Sequence, residues 1–365
     1  MNSLKNLFFK KKVLITGHTG FKGSWLSLWL HHLGAIVTGV ALDPPSKPSH
    51  YEAASIKDLV IDHRVDIREF EGLKSVIHNS EPDFIFHLAA QPLVKQSYIA
   101  PLETYETNII GTLNVLESLR TLEKPCVVVL ITSDKCYDNV EWIWGYREND
   151  RLGGSDPYSA SKGAAELVIR SFIKSFFPKN GLIRIGIGRA GNVIGGGDWA
   201  KDRIVPDCFR SWIKGNEAMI HNPNSTRPWQ HVLEPLSGYL KLSSALSEGL
   251  ELHGEPFNFG PPLHQNYTVK ELVESLSKLF PKARWKADSV SGNSTKESGL
   301  LKLNCEKALH LLGWQSALSI EDTLRMTAEW YSSYYETPSN TRELTITQIQ
   351  EYEAIANKKS VLWGM

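Results

Sequence analysis

The sequence has little that could cross-link the chain or concentrate charge. Only four of its 365 residues are cysteines, and none forms a C-x-x-C pair, which argues against a disulfide framework or a zinc site. Lys and Arg together number 40, as do Asp and Glu, so no global field would attract nucleic acid. We therefore expect a protein that needs no metal and binds no nucleic acid.

Long apolar runs are missing as well. No stretch approaches the ~18 apolar residues of a membrane span. The basic run Lys10 to Lys12 follows a short apolar piece, which is the reverse of the order in a secretory signal. Together with thiols that no pairing pattern accounts for, these features predict a cytoplasmic protein without a membrane partner.

Apolar runs alternate with helical patterns over the first half of the chain. The predicted strands are Val13 to Ile15, Ile36 to Val40, one within Leu59 to Val65, Phe84 to Phe86, Cys126 to Ile131 and Ile183 to Ile187. The predicted helices are Gly20 to Leu33, Phe70 to His78, Leu102 to Leu119 and Pro157 to Phe177. Strands that are apolar throughout and alternate with helices indicate a parallel sheet covered on both faces. The fold class is therefore α/β, with a doubly wound parallel sheet of the Rossmann type.

This alternation of strands and helices ends at Ala190. The later pattern predicts helices at Pro206 to Lys214, Leu236 to Leu246, Val269 to Leu279 and Ile320 to Tyr335, short strands at Met219–Ile220 and Phe257 to Phe259, and a polar loop at Ser291 to Ser298. We predict a dinucleotide-binding domain over residues 1–190 and a smaller α/β substrate lobe over residues 191–365, with chain crossings between them. A ligand would bind in the cleft between the two lobes.

A glycine-rich motif, T-G-H-T-G-F-K-G, follows the first strand and opens the first long helix. It contains Gly17, Gly20, Phe21 and Gly23. Glycines allow a tight turn and close approach to a pyrophosphate, whose charge suits a helix N-terminus. The spacing G-x-x-G-x-x-G differs from G-x-G-x-x-G, and a plain glycine-rich turn is the alternative. The strand–loop–helix context favours nucleotide binding.

The cofactor is predicted to be NAD. Asp43 lies just past the second strand, where a carboxylate can accept hydrogen bonds from both ribose hydroxyls and would repel a 2′-phosphate. A turn aspartate is the alternative, because two prolines follow it. We also assign Asp66 and Ile67 to the adenine side, and Leu88 and Ala89 to a backbone surface against the cofactor.

Tyr158 and Lys162 are spaced i, i+4 and so share one face of a helix. A free phenol titrates near pH ~10, and a neighbouring ammonium is expected to lower its pKa. Tyr158 could then remove the proton of a sugar hydroxyl while a hydride leaves the same carbon. Y-x-x-x-K also occurs by chance, but its place after the fifth strand favours the catalytic interpretation.

These motifs resemble the extended short-chain dehydrogenase/reductases. The match includes the three glycines, Asn108 in T-N-I-I-G-T, and the pair Tyr158 and Lys162. The resemblance also assigns Ser133 to the position of that family's catalytic serine or threonine.

Asp134 and Lys135 follow the fifth strand directly. Within a strand adjacent side chains point to opposite faces, so both can reach one substrate only if the strand ends near Thr132. An acid and a base there could remove the C5 proton of a 4-keto sugar and protonate its departing C6 hydroxyl. That chemistry would require a neutral Lys135 and a protonated Asp134. A solvated charge pair at a loop edge is the alternative.

Longer segments resemble the CDP-glucose 4,6-dehydratase family, namely T-S-D-K-C-Y-D-N, W-G-Y-R-E-N-D, D-P-Y-S-A-S-K and R-A-G-N-V-I-G-G-G-D-W. Lys135 favours this family, because related dTDP-glucose dehydratases have glutamate at that position. The resemblance implies that Tyr158 is the C4 base, Asp134 the C6 acid and Lys135 the C5 base. The division between Asp134 and Lys135 stays open.

On the substrate side, Arg227 in S-T-R-P-W suits a diphosphate, since a guanidinium binds phosphate bidentately. The resemblance adds Asn192 as a second phosphate ligand. Arg203 is a weaker candidate, with surface charge as the alternative. No residue distinguishes cytosine from another base, so CDP-glucose as the partner follows from the resemblance alone.

Three other interpretations stay open. The chain could be another nucleotide-sugar 4,6-dehydratase, a C4 epimerase, or a non-catalytic protein that binds NAD or a sugar nucleotide. The helices from Tyr105 to Leu119 and from Ala165 to Phe176 resemble those that pair in family dimers. A homodimer or homotetramer is expected on that ground.

Overall fold

The computed structural model describes residues 2–249, 251–281, 283–287, 300–359 and 361. The α-helices are α1 (Asn2–Phe8), α2 (Phe21–His32), α3 (His50–Ala53), α4 (Phe70–Ser80), α5 (Val94–Ile99), α6 (Pro101–Tyr105), α7 (Gly111–Leu119), α8 (Pro157–Phe176), α9 (Ile204–Ile213), α10 (Leu233–Ser247), α11 (Val269–Leu279), α12 (Glu306–Leu312), α13 (Ile320–Glu336) and α14 (Thr341–Lys358). The 3₁₀ helices are Ile56–Leu59, Asp134–Cys136 and Pro338–Asn340, and a π-helical segment, Glu106–Ile110, joins α6 to α7. None of the described helices is long and apolar enough to cross a membrane.

The strands are β1 (Lys12–Thr16), β2 (Ile36–Ala41), β3 (Ile61–Arg64), β4 (Phe84–His87), β5 (Cys126–Ile131), β6 (Ile183–Ala190), β7 (Val193–Ile194), β8 (Ala218–Ile220), β9 (Thr226–Arg227), β10 (Gln230–His231), β11 (Pro256–Phe259), β12 (Tyr267–Thr268) and β13 (Trp285–Ala287). Seven of them form one sheet in the order β11-β6-β5-β4-β1-β2-β3. All neighbours in this sheet are parallel. The doubly wound α/β prediction is confirmed.

Strand β5 shows why these sequences form a central sheet. All six of its residues are buried. Val127, Val129 and Ile131 belong to the hydrophobic core on one face of the sheet, and Val128 and Leu130 belong to the core on the other. Side chains alternate between faces along a strand, so a strand covered on both faces must be apolar at every position.

Helix α2 lies within the first of these cores. Trp25, Leu26, Leu28, Trp29 and Leu30 are all fully buried, as expected for a helix that is apolar all round. The indole nitrogen of Trp29 donates to a carboxylate of α14, Glu353 Oε1, at 2.8 Å. The helix that starts at the glycine loop is thereby fixed by the rest of the chain.

Residues beyond 190 contribute to the same sheet. Strand β11 pairs with β6 at its edge, and α10 packs against β5 and β6. The sequence placed Phe257 to Phe259 among the short strands of the second lobe, whereas the structure makes it the outermost strand of the main sheet. This is a chain crossing of the predicted kind, and the boundary at residue 190 stays a prediction.

The rest of the C-terminal third contains three two-stranded pairs: β7 with β10, β9 with β12, and β8 with β13. Helices α1 and α14 were not predicted from the sequence. The predicted loop at Ser291 to Ser298 lies outside the described residues.

Candidate active site

The predicted functional residues gather at the carboxyl ends of the central strands. The amide of Leu88, after β4, donates to Thr16 O at the end of β1 at 3.1 Å, and the amide of Thr132, after β5, donates to Gly188 O in β6 at 2.9 Å. These bonds hold the loops after β1, β4, β5 and β6 side by side. Ligands of doubly wound folds bind outside this edge of the sheet.

The backbone around the glycine loop is packed so closely that side chains in place of Gly17 and Gly23 would overlap it. Gly17 has φ +79°, and a Cβ there would lie 2.7 Å from Ala89 N. A Cβ on Gly23 would overlap the carbonyl oxygen of Gly17. Helix α2 begins after Gly20 without a side-chain cap, so its first amides point at the open end of the loop. These features fit a dinucleotide pyrophosphate.

Three further residues of the predicted cofactor site border this loop. Leu88 and Ala89 pass directly against Gly17, as expected for backbone that approaches a cofactor. Phe21 opens α2, and a Cβ on Gly195 would come within 3.3 Å of its ring. Phe21 therefore lies between the cofactor loop and the loop after β7.

On the ribose side, Asp43 lies just past the carboxyl end of β2. Its side chain is 94% exposed, and Arg64 Nε lies 4.0 Å from Oδ1. Arg64 also donates to Leu42 O at 2.7 Å and to Asp62 Oδ2 at 2.9 Å. The carboxylate is exposed and has a neighbouring cation that the sequence analysis did not include, and its contact with a ribose stays a prediction.

Asp66 and Ile67 have other partners in the structure. Asp66 accepts from the backbone amide of Arg68 at 2.9 Å and from its guanidinium at 2.9 and 2.6 Å. Burial alone would raise the pKa of Asp66, but the hydrogen bonds from Arg68 outweigh it and lower that pKa. Ile67 is buried against Gly111. Their roles at the adenine stay a prediction.

The acid–base pair begins a short 3₁₀ helix. Strand β5 ends at Ile131, and Asp134–Cys136 forms one 3₁₀ turn capped by Ser133, whose oxygen accepts from Lys135 N at 3.2 Å. The prediction that the strand ends before Asp134 is confirmed. Ser133 Oγ donates to Asp134 Oδ1 at 3.0 Å. Asp134 is 3% exposed, and its Oδ2 has no hydrogen-bond partner among the described residues.

Tyr158 and Lys162 are held by the first two turns of α8. Asp156 caps this helix by accepting from Ser159 N at 2.9 Å, and Pro157 occupies its first turn. Tyr158 and Lys162 are 8% and 6% exposed. The phenol also has a hydrogen bond with Ser133 and an electrostatic interaction with Asp134. Ser133 and Asp134 are therefore brought together with Tyr158, and the position of the Lys135 side chain relative to them stays a prediction.

The pKa of Tyr158, in the pair Tyr158 and Lys162, differs from the expectation. Burial raises the pKa of Tyr158 to about 12, although the hydrogen bond with Ser133 acts against it. Burial lowers the pKa of Lys162 to about 8, although Cys136 and Glu166 act in the opposite direction. The expectation that Lys162 lowers the pKa of the phenol is wrong for the protein alone, because desolvation of the phenolate is the larger effect.

Asn108 supports the helix that carries the tyrosine. It is 1% exposed and lies in the π-helical segment between α6 and α7. Its Nδ2 donates to Ser161 Oγ at 2.9 Å, and its Oδ1 accepts from Gln91 N at 2.9 Å. Single π-turns within helices are frequent at functional sites.

Two cations face the catalytic residues. Arg203 donates to Asp198 Oδ2 at 3.0 Å, and its charge acts on Tyr158 and on Lys22. Burial lowers the pKa of Lys22 to about 8, with Arg203 and Lys162 lowering it further and Asp134 raising it. Arg203 is thus placed near Tyr158, the predicted C4 base. Sequence reasoning missed Lys22, although a lysine inside the glycine motif was a visible signal.

The remaining substrate candidates lie beyond β6. Asn192 follows β6, and its carbonyl accepts from Gln230 N at 3.2 Å. Arg227, in β9, is 9% exposed and donates to Thr226 O at 2.8 Å. Their contacts with a phosphate stay a prediction.

A seven-stranded dinucleotide-binding sheet with a buried Tyr158–Lys162 pair beside Ser133 defines an extended short-chain dehydrogenase/reductase. Within that class, the sequence profile described as GDP-mannose 4,6 dehydratase matches residues 14–327. The chain belongs to this family of sugar-nucleotide dehydratases.

Two curated relatives illustrate the range of similarity. The chain is 49% identical to the CDP-glucose 4,6-dehydratase of Salmonella typhimurium over 336 residues, which cover 90% of this chain and 93% of that protein. It is 24% identical to the dTDP-glucose 4,6-dehydratase of Haemophilus influenzae over 344 residues, or 87% and 97% of the two chains. The resemblance to CDP-glucose 4,6-dehydratases drawn from the motifs is confirmed.

Solved structures share the fold. An epimerase from Methanothermobacter thermautotrophicus superposes with a TM-score of 0.79 at 24% identity, covering 93% of this chain and 97% of its own. The dTDP-glucose 4,6-dehydratase of Bacillus anthracis, solved in complex with NAD, superposes with a TM-score of 0.72 at 22% identity, over 89% and 97% of the chains.

Proposed function

We propose that this chain is an NAD-dependent CDP-glucose 4,6-dehydratase, which converts CDP-D-glucose to CDP-4-keto-6-deoxy-D-glucose and water. The observation that carries the proposal is the position of Asp134 and Lys135, on a 3₁₀ turn directly beside Tyr158. An enzyme that only oxidises and reduces C4 needs Tyr158 and Lys162 but no second acid–base pair. The 49% identity to a protein of that name supports the choice of substrate.

The residues present fit NAD. The backbone cradle at Gly17 and Gly23 suits a pyrophosphate, and the exposed carboxylate of Asp43 suits an unphosphorylated ribose. Bound NAD would supply the hydride acceptor for C4 and the hydride donor for C6.

Tyr158 removes the proton of the C4 hydroxyl, and Ser133 orients the phenol through their hydrogen bond. Lys162 stabilises the phenolate as it forms. With C4 a ketone, the C5 hydrogen is acidic. Lys135 removes it, and Asp134 protonates the departing C6 oxygen, which leaves as water. Lys135 returns the C5 proton when C6 is reduced, and the proton that Tyr158 took from the C4 hydroxyl balances the one that Asp134 gave to the departing oxygen, so the net reaction is the loss of one water.

Asp134 is built for that second step. Its carboxyl is 3% exposed, and one of its two oxygens lacks a protein partner among the described residues. A Cβ on residue 191 would overlap Asp134 Oδ2. The glycine at this position therefore leaves space next to that oxygen. We infer that this oxygen faces the C6 hydroxyl of the bound sugar. Arg227 and Asn192 bind the diphosphate in this arrangement.

We further propose a homo-oligomer in the cytoplasm. Leu102 in α6, Ile110 at the end of the π-helical segment and Leu167 in α8 are 70%, 44% and 57% exposed, and these three elements pack against one another. Large apolar side chains on adjacent helices suit a self-complementary interface. The four cysteines are free thiols, which suits a reducing compartment.

The function is tested by incubating the protein with NAD and CDP-, dTDP-, UDP- or GDP-hexoses and following the products by NMR. We expect a 4-keto-6-deoxy sugar from CDP-glucose, with no net formation of NADH. A sugar inverted at C4 as the sole product would show that the chain is an epimerase. Turnover of another nucleotide sugar alone would show that the base assignment is wrong.

A further inference from the structure

A buried ion pair lies directly behind the catalytic residues and has no part in the proposed chemistry. Glu166 is on α8, one helical turn beyond Lys162 and two beyond Tyr158, and is 4% exposed. Residues spaced i, i+4 and i+8 line one helix face. Glu166 therefore extends the catalytic face of α8 toward the interior of the protein.

Its partner is Arg189 near the carboxyl end of β6. Arg189 Nε lies 2.8 Å from Glu166 Oε1, and Nη2 lies 2.9 Å from Oε2. The side chains are 3% and 5% exposed. Such a bidentate guanidinium–carboxylate pair fixes the relative orientation of both side chains as well as their distance.

This pair reaches the catalytic 3₁₀ helix from its N-terminal side through Thr132. Thr132 Oγ1 donates to Glu166 Oε1 at 2.5 Å. Thr132 lies between the end of β5 and the capping residue Ser133. The hydroxyl therefore ties the chain just ahead of Asp134 to α8.

It reaches the same 3₁₀ helix from the C-terminal side through Tyr137. Arg189 Nη1 donates to the Tyr137 hydroxyl at 2.8 Å and to Glu148 O at 2.9 Å. The Tyr137 hydroxyl donates in turn to Asn258 Oδ1, in β11, at 2.7 Å. Tyr137, just after the 3₁₀ helix, is therefore tied to the same ion pair as Thr132, which lies before it.

We propose that Glu166 and Arg189 are positioning residues that clamp both ends of the Asp134–Cys136 turn to the helix carrying Tyr158 and Lys162. The inference rests on the proposed function, in which Tyr158 acts at C4 while Asp134 and Lys135 act at the neighbouring C5 and C6. The same bound sugar can react with Tyr158 and then with Asp134 and Lys135 only if the distance between these two groups of residues is fixed. A misplacement of about 1 Å can cost about 100-fold in rate.

Stability alone does not explain a pair of this kind. Replacing a buried ion pair by well-packed apolar residues is often neutral or stabilising, because desolvation offsets the attraction. Thr132 and Tyr137, which hydrogen-bond to this pair, lie on either side of the same three-residue turn. A role in holding that turn in position accounts for this arrangement.

The test removes one tie without unpairing the charges. Thr132→Val keeps the shape but loses the hydroxyl, whereas Thr132→Ser keeps the hydroxyl and loses a methyl group. For Thr132→Val we expect water loss to slow by about 10-fold or more, and C4 oxidation, which depends on the same turn only through Ser133, to slow to a smaller extent. Reduced cofactor should then accumulate at 340 nm in a single turnover. Thr132→Ser should behave as the wild type.

A second variant addresses the other tie and covers a folding failure of the first. Tyr137→Phe removes the hydroxyl between Arg189 and Asn258, and the same selective loss of the dehydration step is expected. Equal slowing of both steps, or unchanged partitioning in the variant that folds, would overturn the clamp. If the wild type makes no 4-keto-6-deoxy product, the proposed function fails instead.

Discussion

At the residue scale, burial decides the behaviour of the catalytic pair more than the neighbouring charges do. Tyr158 and Lys162 share a helix face as the i, i+4 spacing predicts, yet their pKa values move toward the neutral forms of both side chains. Desolvation therefore opposes the charged form of each side chain in the protein alone.

The first prediction concerns Tyr158→Phe. Removing the hydroxyl leaves the ring and its packing but no group to take the C4 proton. We expect the rate of C4 oxidation to fall by at least about 100-fold. Stopped-flow absorbance at 340 nm on mixing with CDP-glucose measures that step, and calorimetric binding of CDP-glucose serves as the control. Oxidation within threefold of the wild type would remove Tyr158 from its role.

The second prediction concerns Lys135→Ala. Lys135 lies on the 3₁₀ turn rather than on α8, so its loss should spare C4 oxidation. Loss of water should slow by about 100-fold or more, because C5 would lack its base. Exchange of the C5 proton with D₂O, followed by NMR, reports that step directly. Lys57→Ala changes an exposed lysine of a distant 3₁₀ turn and should leave both steps intact. Unimpaired dehydration in Lys135→Ala would reassign the base.

The sequence was sufficient to identify site residues that lie in short motifs. It was not sufficient to identify residues whose contacts join segments far apart in the chain. Ser133, Asp134, Tyr158 and Lys162 stand in short recognisable segments, and the structure brings them together. Glu166 and Arg189 are 23 residues apart. Their pairing depends on the order of the strands in space, which no local pattern contains.

At the element scale, the strongly patterned segments were predicted well. Strand β5 and helix α2 are apolar on every side, because each is covered on all sides in the fold. Strand β11 was predicted as a strand, but its pairing with β6 was not, since a short run such as Phe257 to Phe259 does not reveal which sheet it joins. Helix α14 was missed because its buried residues include Thr341, Thr345 and Gln348, which are polar.

Three buried histidines link elements and predict loss of stability in acid. They are His50 in α3, His87 in β4 and His231 in β10. His50 stacks on Trp25 at 5.0 Å between ring centroids, and His87 shares a hydrogen bond with Thr16 at 2.7 Å. Burial lowers the pKa of each to about 3.

The third prediction follows from the sign of these shifts. The unfolded chain binds protons below pH ~6.5 and the folded protein does not, so stability is full above that pH and falls toward pH 3. Three histidines give a slope of up to about 4 kcal/mol per pH unit. Glu234 acts in the opposite direction, because burial raises its pKa to about 7 and its contribution is lost as pH rises through that value.

Urea unfolding at pH 7.5, 6.5 and 5.5 measures this slope. We expect the free energy of unfolding to decrease at each step, and His50→Gln to remove one of the three histidine contributions to that decrease. A free energy that stays constant from pH 7.5 to 5.5 would contradict the assignment of neutral buried histidines.

At the scale of the whole molecule, one core joins regions that the sequence divided at residue 190. The core on one face of the sheet runs from Val13 and Trp25 through α10 to residues of α13 and α14. Asp134 and Tyr158 come from one side of that boundary, and Arg203, whose charge acts on Tyr158, comes from the other. Neither predicted domain therefore contains all of the predicted site residues.

The fourth prediction concerns assembly. Leu102 and Leu167 are exposed on α6 and α8, which pack against each other, so their apolar surfaces are neighbours on one face. Charges introduced there would have to be desolvated in an interface, which is costly for an unpaired carboxylate. We expect the double variant Leu102→Glu, Leu167→Glu to halve the molar mass measured by light scattering, while far-UV circular dichroism is unchanged. Leu309→Glu, on the exposed side of α12, is a matched control that should keep the wild-type mass. If the double variant also keeps that mass, the interface lies on another surface, and these helices are exposed in the assembled enzyme.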